Sequence, residues 1–196
     1  MKRQELIDAA LLHYSLHGYQ GATMRKIADE VGIKPASIYF FYENKEALFI
    51  AAFKQLLDNH FSIMKKILHE QQDAPVDKIF SAMFQGIVSH HTGDLQSTTA
   101  YVSLVTSPIP EIKVDLQKHM RKFANWLVES LEAALRRTYP LITENEVDRI
   151  IKQFVLLGNG VFWGIFLYEG EDFEEQVALA NQMTQSLFDQ IKLQYK

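Results

Sequence analysis

Residues 23 to 42, TMRKIADEVGIKPASIYFFY, permit very few backbone arrangements. Ala28 is small where two helices can cross closely. Gly32 can adopt the left-handed conformation that ends one helix and lets the next start within about three or four residues. Ile27, Val31, Ile33, Ile38 and Phe41 then fall on inward positions of two short helices and their bend, packed against a preceding helix. Thr23 can cap the first helix through its hydroxyl, and Pro35 suits the first position of the second, which carries Lys34 through Tyr39. This is the spacing of a helix-turn-helix.

Core packing does not account for the outward chemistry. Arg25 and Lys26 fall in the first turn of a helix, where cations oppose the macrodipole, a small penalty that makes sense beside a phosphate. The pattern therefore points to double-stranded DNA as a partner. Charge alone does not: residues 1 to 49 hold six cations and six anions, and the whole chain has a net charge of −4, so the remainder is acidic and repels DNA.

The rest of the 196-residue chain reads as helix after helix with no convincing strand. Expected helices run from 2 to 17, stopped at Gly18 and Gly21, and from Lys45, capped by Asn44, to about Leu68. Others run from Pro75 to His90, from after Asp94 to about Val105, and from Ile112 to Arg137, with Ser107, Pro108, Ile109 and Pro110 as an interruption. Thr143 and Glu146 form a capping box opening a helix to about Tyr168, and a last helix covers Phe173 to about Leu193. The expected fold is all-α: an N-terminal three-helix helix-turn-helix DNA-binding domain, 1–48, and a larger C-terminal helical domain, 49–196, for ligand binding and dimerisation.

Cysteine is absent, removing disulfides, thiolate catalysis and cysteine zinc sites together. No run approaches the roughly 20 unbroken apolar residues of a membrane span, and the amino terminus enters an amphipathic helix. The expectation is a cytoplasmic protein with no membrane partner. No HExxH, P-loop or G-x-S-x-G pattern is present, so no catalytic residues, cofactor or metal are expected, and the chain reads as a non-enzyme. His13 and His17 have metal-pair spacing without an obvious third ligand, and the adjacent His90 and His91 point to different sides of a helix. An all-α enzyme and an unregulated architectural DNA binder are the rival classes.

From residue 5 to 49 the chain resembles the amino-terminal domain of the TetR family of bacterial transcriptional regulators. The run ALLHYSLHGYQGATMRKIADEVGIKPASIYFFYENKEALF follows that family's pattern of a helix, G-Y/F-x-x-T, I-A-x-x-x-G-[VI] and [ST]-[IL]-Y-x-[YHF]-[FY]-x-x-K-E-x-L. Beyond residue 50 the likeness is architectural. The resemblance implies a homodimer whose reader domains dock on a palindromic operator and whose larger domains bind a small-molecule inducer. It is thus most readily a repressor, released by a lipophilic or aromatic compound.

The resemblance also implies residue roles. Thr23 and Arg25 would touch phosphate, with Arg25 able to reach a base edge, and Lys34, Pro35, Ala36 and Ser37 would begin the recognition helix. Tyr39 would bond a phosphate and Lys45 another. Lys34 stands where a capping Ser or Thr is common, and Phe40 where Tyr, His or Trp is usual; Phe40 either reads a thymine methyl or is core.

In the second domain Phe84, His91, Tyr101, Phe123, Trp126, Asn159, Phe162 and Trp163 are candidates for an inducer pocket, the alternative being core and dimer interface. The segment LLGNGVFWGIFLY at 156 to 168 is apolar nearly all round and must be covered on every side. Phe154, Leu157, Gly158, Phe162 and Ile165, with Val177, Met183, Leu187 and Phe188, are the expected self-complementary dimer contact.

Overall fold

The computed structural model describes residues 2–106 and 109–195. Its α-helices, in chain order, are α1 (Lys2–Gly21), α2 (Met24–Val31), α3 (Pro35–Ile38), α4 (Lys45–Glu70), α5 (Val76–Gly93), α6 (Leu95–Thr106), α7 (Lys113–Thr138), α8 (Glu144–Leu167) and α9 (Gly170–Gln194). A single 3-10 turn, Pro110–Ile112, precedes α7, and the described residues include no strand. Ser107 and Pro108, half of the expected interruption, lie outside the described residues.

Local chemistry sets most of these boundaries. Gly18 leaves helical geometry at φ 64°, breaking α1 near its end. Asn44 caps α4 through its side-chain oxygen, which accepts from Ala47 N–H at 2.8 Å. Thr143 and Glu146 form the reciprocal capping box at the start of α8. α9 starts at Gly170, a few residues earlier than the aromatic pattern suggests, because Gly170 takes φ 51° and allows the turn out of α8 to be short.

Two compact units result. The first takes the chain up to Phe61 and returns for Asp94–Arg121; the second takes Ser62–Gly93 and everything from Lys122 onward. This packing division is drawn differently from the motif-based partition at residues 48 and 49, because α6 packs on α1 and Ala100, Leu104, Ile109, Ile112 and Leu116 join the amino-terminal core.

The first core centres on Leu6, Ala10, Tyr14, Ile27, Ala28, Ile38, Leu48 and Phe49. Tyr14 stands edge-on to Phe53 with ring centroids 4.8 Å apart. In the second unit, Phe80 meets Phe154 at 4.8 Å and Phe188 at 4.9 Å, both edge-on, so one ring ties α5 to α8 and α9. Gly86 on α5 admits Ile67 so closely that a Cβ there would lie 2.3 Å from its Cδ1.

Burial pushes the Tyr14 hydroxyl up to about 12 from its ordinary 10.0. Its raised folded value means the unfolded chain ionises first. The stability it contributes is complete below pH 10.0 and is lost as pH rises through about 12. Urea titrations at pH 10 and pH 12 should show the native chain losing roughly 2 kcal/mol more than Tyr14→Phe over that interval.

Candidate nucleic-acid interface

The reader is built on the bend between α2 and α3. Lys26 N–H donates to Thr23 Oγ1 at 3.3 Å, so the threonine caps α2 as its type and position suggest. At the other end Gly32 is left-handed (φ 69°, ψ 37°) and its N–H reaches the carbonyls of Ala28 and Asp29. Ile33 N–H follows, donating to Ala28 O at 2.9 Å. These bonds satisfy the last carbonyls of α2 and turn the chain into α3.

Ile27, Ala28 and Ile38 are wholly buried, fixing both short helices to the unit's core. Val31 and Ile33 are half-buried against the same core. Phe41 departs from expectation. It is exposed, and Tyr42 is the buried residue instead. The physical reason is that α3 ends at Ile38, whose carbonyl accepts from both Phe41 and Tyr42 N–H; the chain then turns, and helical spacing no longer selects position 41.

The outer surface of this element carries most of the expected contact residues. Thr23, Arg25, Lys34, Pro35 and Ala36 are exposed, and Ser37 is half-buried. Tyr39 is 56% exposed and Phe40 87%, which removes the core alternative for Phe40. Lys34 makes no side-chain cap for α3, so its ammonium is not committed to the helix it begins.

Lys45 is placed differently. Its ammonium donates to Tyr19 O and sits 4.2 Å from the centre of the Tyr19 ring, with the Phe49 ring at 5.7 Å. Burial lowers its pKa from the ordinary lysine value. One of its three donors thus ties the start of α4 to the end of α1.

This geometry has known counterparts. The model for the bacterial regulatory proteins of the tetR family matches residues 6–52, which spans α1, both motif helices and the start of α4. Residues 6–52 are thus a TetR-type amino-terminal domain. It is 24% identical over 155 residues to the biofilm operon icaADBC HTH-type negative transcriptional regulator IcaR of Staphylococcus epidermidis, covering 78% of this chain and 80% of that protein. It is 39% identical over 51 residues to the HTH-type transcriptional repressor AcnR of Corynebacterium diphtheriae, covering 26% of this chain but only 27% of that repressor. Among solved structures, the transcriptional regulator FadR from Bacillus subtilis in complex with stearoyl-CoA has a TM-score of 0.67 at 18% identity, over 94% of this chain and 96% of that one. The fold shared with that regulator therefore extends through both units, and the relatives that this chain resembles in sequence are transcriptional regulators.

The residues expected to line an inducer pocket differ in burial and surroundings. Tyr101 belongs to the first unit and the other seven to the second. Phe84 is fully buried with Phe154 as a neighbour at 6.2 Å, a core position. His91 is buried and edge-on to Phe162 at 4.7 Å, and Phe123 meets Trp126 at 5.8 Å. Asn159 and Trp163 lie on the exposed side of α8.

Three of the expected dimer residues need correction. Phe154, Gly158 and Phe188 are buried inside their own unit and cannot face a partner. Leu157, Phe162, Ile165, Val177 and Leu187 are half-buried, and Met183 is exposed. The outward stripe of α8 is instead Leu156, Gly160, Trp163 and Leu167, joined on α9 by Leu179 and Met183. Its i, i+4, i+7, i+11 spacing is present in the sequence, but a helix apolar on all sides does not reveal which stripe is turned out.

Replacing Lys45 by alanine should cost about 1 kcal/mol of stability through loss of the Tyr19 contacts, read as a lowered urea midpoint at neutral pH.

Proposed function

We propose that the chain is a repressor that binds a palindromic operator as a homodimer and releases it when a small lipophilic or aromatic inducer binds in the second unit. The observation that carries the DNA-reading part is the exposure of Lys34, Pro35, Ala36, Tyr39 and Phe40 around a short helix whose opposite side, at Ile38, is wholly buried. Such an element can enter a major groove without disturbing the core that holds it. Arg25 supplies a guanidinium suited to phosphate or guanine, Tyr39 a hydroxyl for a phosphate, and Phe40 an apolar face for a thymine methyl. Thr23 and Ser37 add short hydroxyl contacts at the ends of the two helices. Lys45 supplies a backbone contact with its two remaining donors while holding Tyr19.

Dimerisation is supported by α8. The helix is long and apolar enough to cross a membrane by length and composition, yet only 33% of its most apolar stretch is buried within the chain. A second copy placing Leu156, Trp163, Leu167, Leu179 and Met183 against their equivalents would cover this surface through a twofold contact. The same symmetry suits a palindromic operator, whose half-sites lie about 34 Å apart, one helical turn of DNA.

Support for a ligand of the stated class comes from the aromatic content of the second unit and from FadR of Bacillus subtilis, whose matching fold holds stearoyl-CoA. Ligand release of DNA requires that the inducer bind one arrangement of the dimer better than the other.

The test begins with footprinting of genomic fragments bound by the purified chain; protection of two half-sites related by a twofold axis is the expected result, and a single unpaired footprint would overturn the dimeric reading. Phe40→Ala should leave thermal stability unchanged and weaken operator binding by about tenfold, relaxing preference at one base pair. For Arg25→Ala, the slope of log K against log salt should shrink by about 0.9, measured by fluorescence anisotropy on the same duplex. Trp163→Glu should convert the protein to a monomer in light scattering and lower operator affinity by at least about a hundredfold, through loss of the tethered second half.

A further inference from the structure

A cleft of about 460 Å³ runs between α5 and α9 within the second unit, lined by none of the aromatics expected for the inducer. Val88, Val177 and the Phe173 ring form its apolar surface. Its polar lining includes Gln85, whose amide can donate or accept, together with three groups that offer oxygen. Glu174 brings a carboxylate, and no cation lines the cleft. Thr92 donates its hydroxyl proton to Val88 O at 2.9 Å, leaving only oxygen lone pairs to offer.

Asn181 makes the case more specific. Its Nδ2 donates to Val177 O at 3.0 Å, which fixes the amide orientation, since a flip would set oxygen against oxygen. Its Oδ1 is consequently a buried acceptor with no hydrogen-bond partner. A buried amide oxygen left unmatched is a standing cost to the folded chain, and it is removed by any donor that enters the cleft. A carboxylate, a hydroxyl oxygen and an unmatched amide oxygen beside apolar surface together ask for a cationic donor on a hydrocarbon body.

We propose that this cleft is a binding site for an alkylammonium ion, with the ammonium among Asn181, Glu174 and Thr92 and the hydrocarbon against Val88, Phe173 and Val177. The cleft shares no lining residue with those expected for the inducer pocket or the reader, so its success or failure leaves the DNA-binding reading untouched. The exposed stripe on α9, Leu179 and Met183, is on the opposite side of that helix from Val177 and Asn181, so dimerisation there leaves the cleft open.

The test is calorimetry on the full chain with hexylamine as the probe and hexanol and hexanoate as matched neutral and anionic controls, all at neutral pH. Hexylamine should bind at one per chain, at least tenfold tighter than hexanol, with hexanoate weaker still. Glu174→Gln should weaken hexylamine about tenfold, and Ala178→Phe should abolish it by filling the cleft. Both positions are exposed, so the variants should keep the native melting temperature. Asn181→Leu should raise the melting temperature of the free protein while weakening hexylamine, the mark of an acceptor kept for a ligand. Failure of hexylamine to bind, equal binding of hexanol, or an affinity indifferent to Glu174→Gln and Ala178→Phe would each overturn the proposal.

Discussion

The left-handed turn at Gly32 governs the reading end of this protein. It gives α2 its last hydrogen bonds and redirects the chain within two residues, so that Ile27 and Ala28 on one helix and Ile38 on the next reach the same core. An ordinary L-residue would pay about 1 kcal/mol for that conformation. With the turn in place, α3 has no freedom to present any other side: burying Ile38 exposes Pro35, Ala36, Tyr39 and Phe40. A four-residue helix has little stability of its own, and its orientation is borrowed from the core beneath it.

Lys45 has a structural role beside the phosphate contact proposed for it. An ammonium held by a backbone carbonyl and an aromatic face is partly desolvated, and burial lowers its pKa. Such a cation is less mobile than a surface lysine and loses less entropy on meeting a phosphate. Arg25 and Lys34, by contrast, are exposed. The proposed interface therefore combines one preset charge with others that would be ordered on binding.

Sequence made the punctuation of the fold legible and left its faces partly hidden. Thr23, Gly32, Asn44 and the Thr143–Glu146 pair each have a local chemistry that requires a helix end, and the helix ends lie there. The resemblance of residues 6–52 to the TetR family was legible for the same reason, since the motif is made of such residues. Phe41 was not, because the end of α3 at Ile38 depends on the short turn that follows and not on the residue itself. The orientation of α8 was hidden by its uniformity: Phe154 and Trp163 are equally suitable for a core or a partner, and only contact with Phe80 decides that Phe154 points in. The α5–α9 cleft was invisible because it depends on Asn181 using its amide N–H for Val177 O and leaving Oδ1 unmatched, a matter of atoms across one helical turn.

The return of Asp94–Arg121 to the amino-terminal unit has a consequence for how the protein is made. Leu104, Ile112 and Leu116 belong to the same core as Leu6 and Tyr14, so the ribosome must deliver more than half of the chain before the earliest helix can complete its packing. Closing so long a loop is entropically slow. Throughout that interval α1 carries an uncovered apolar face, a natural point of attachment for chaperones during synthesis.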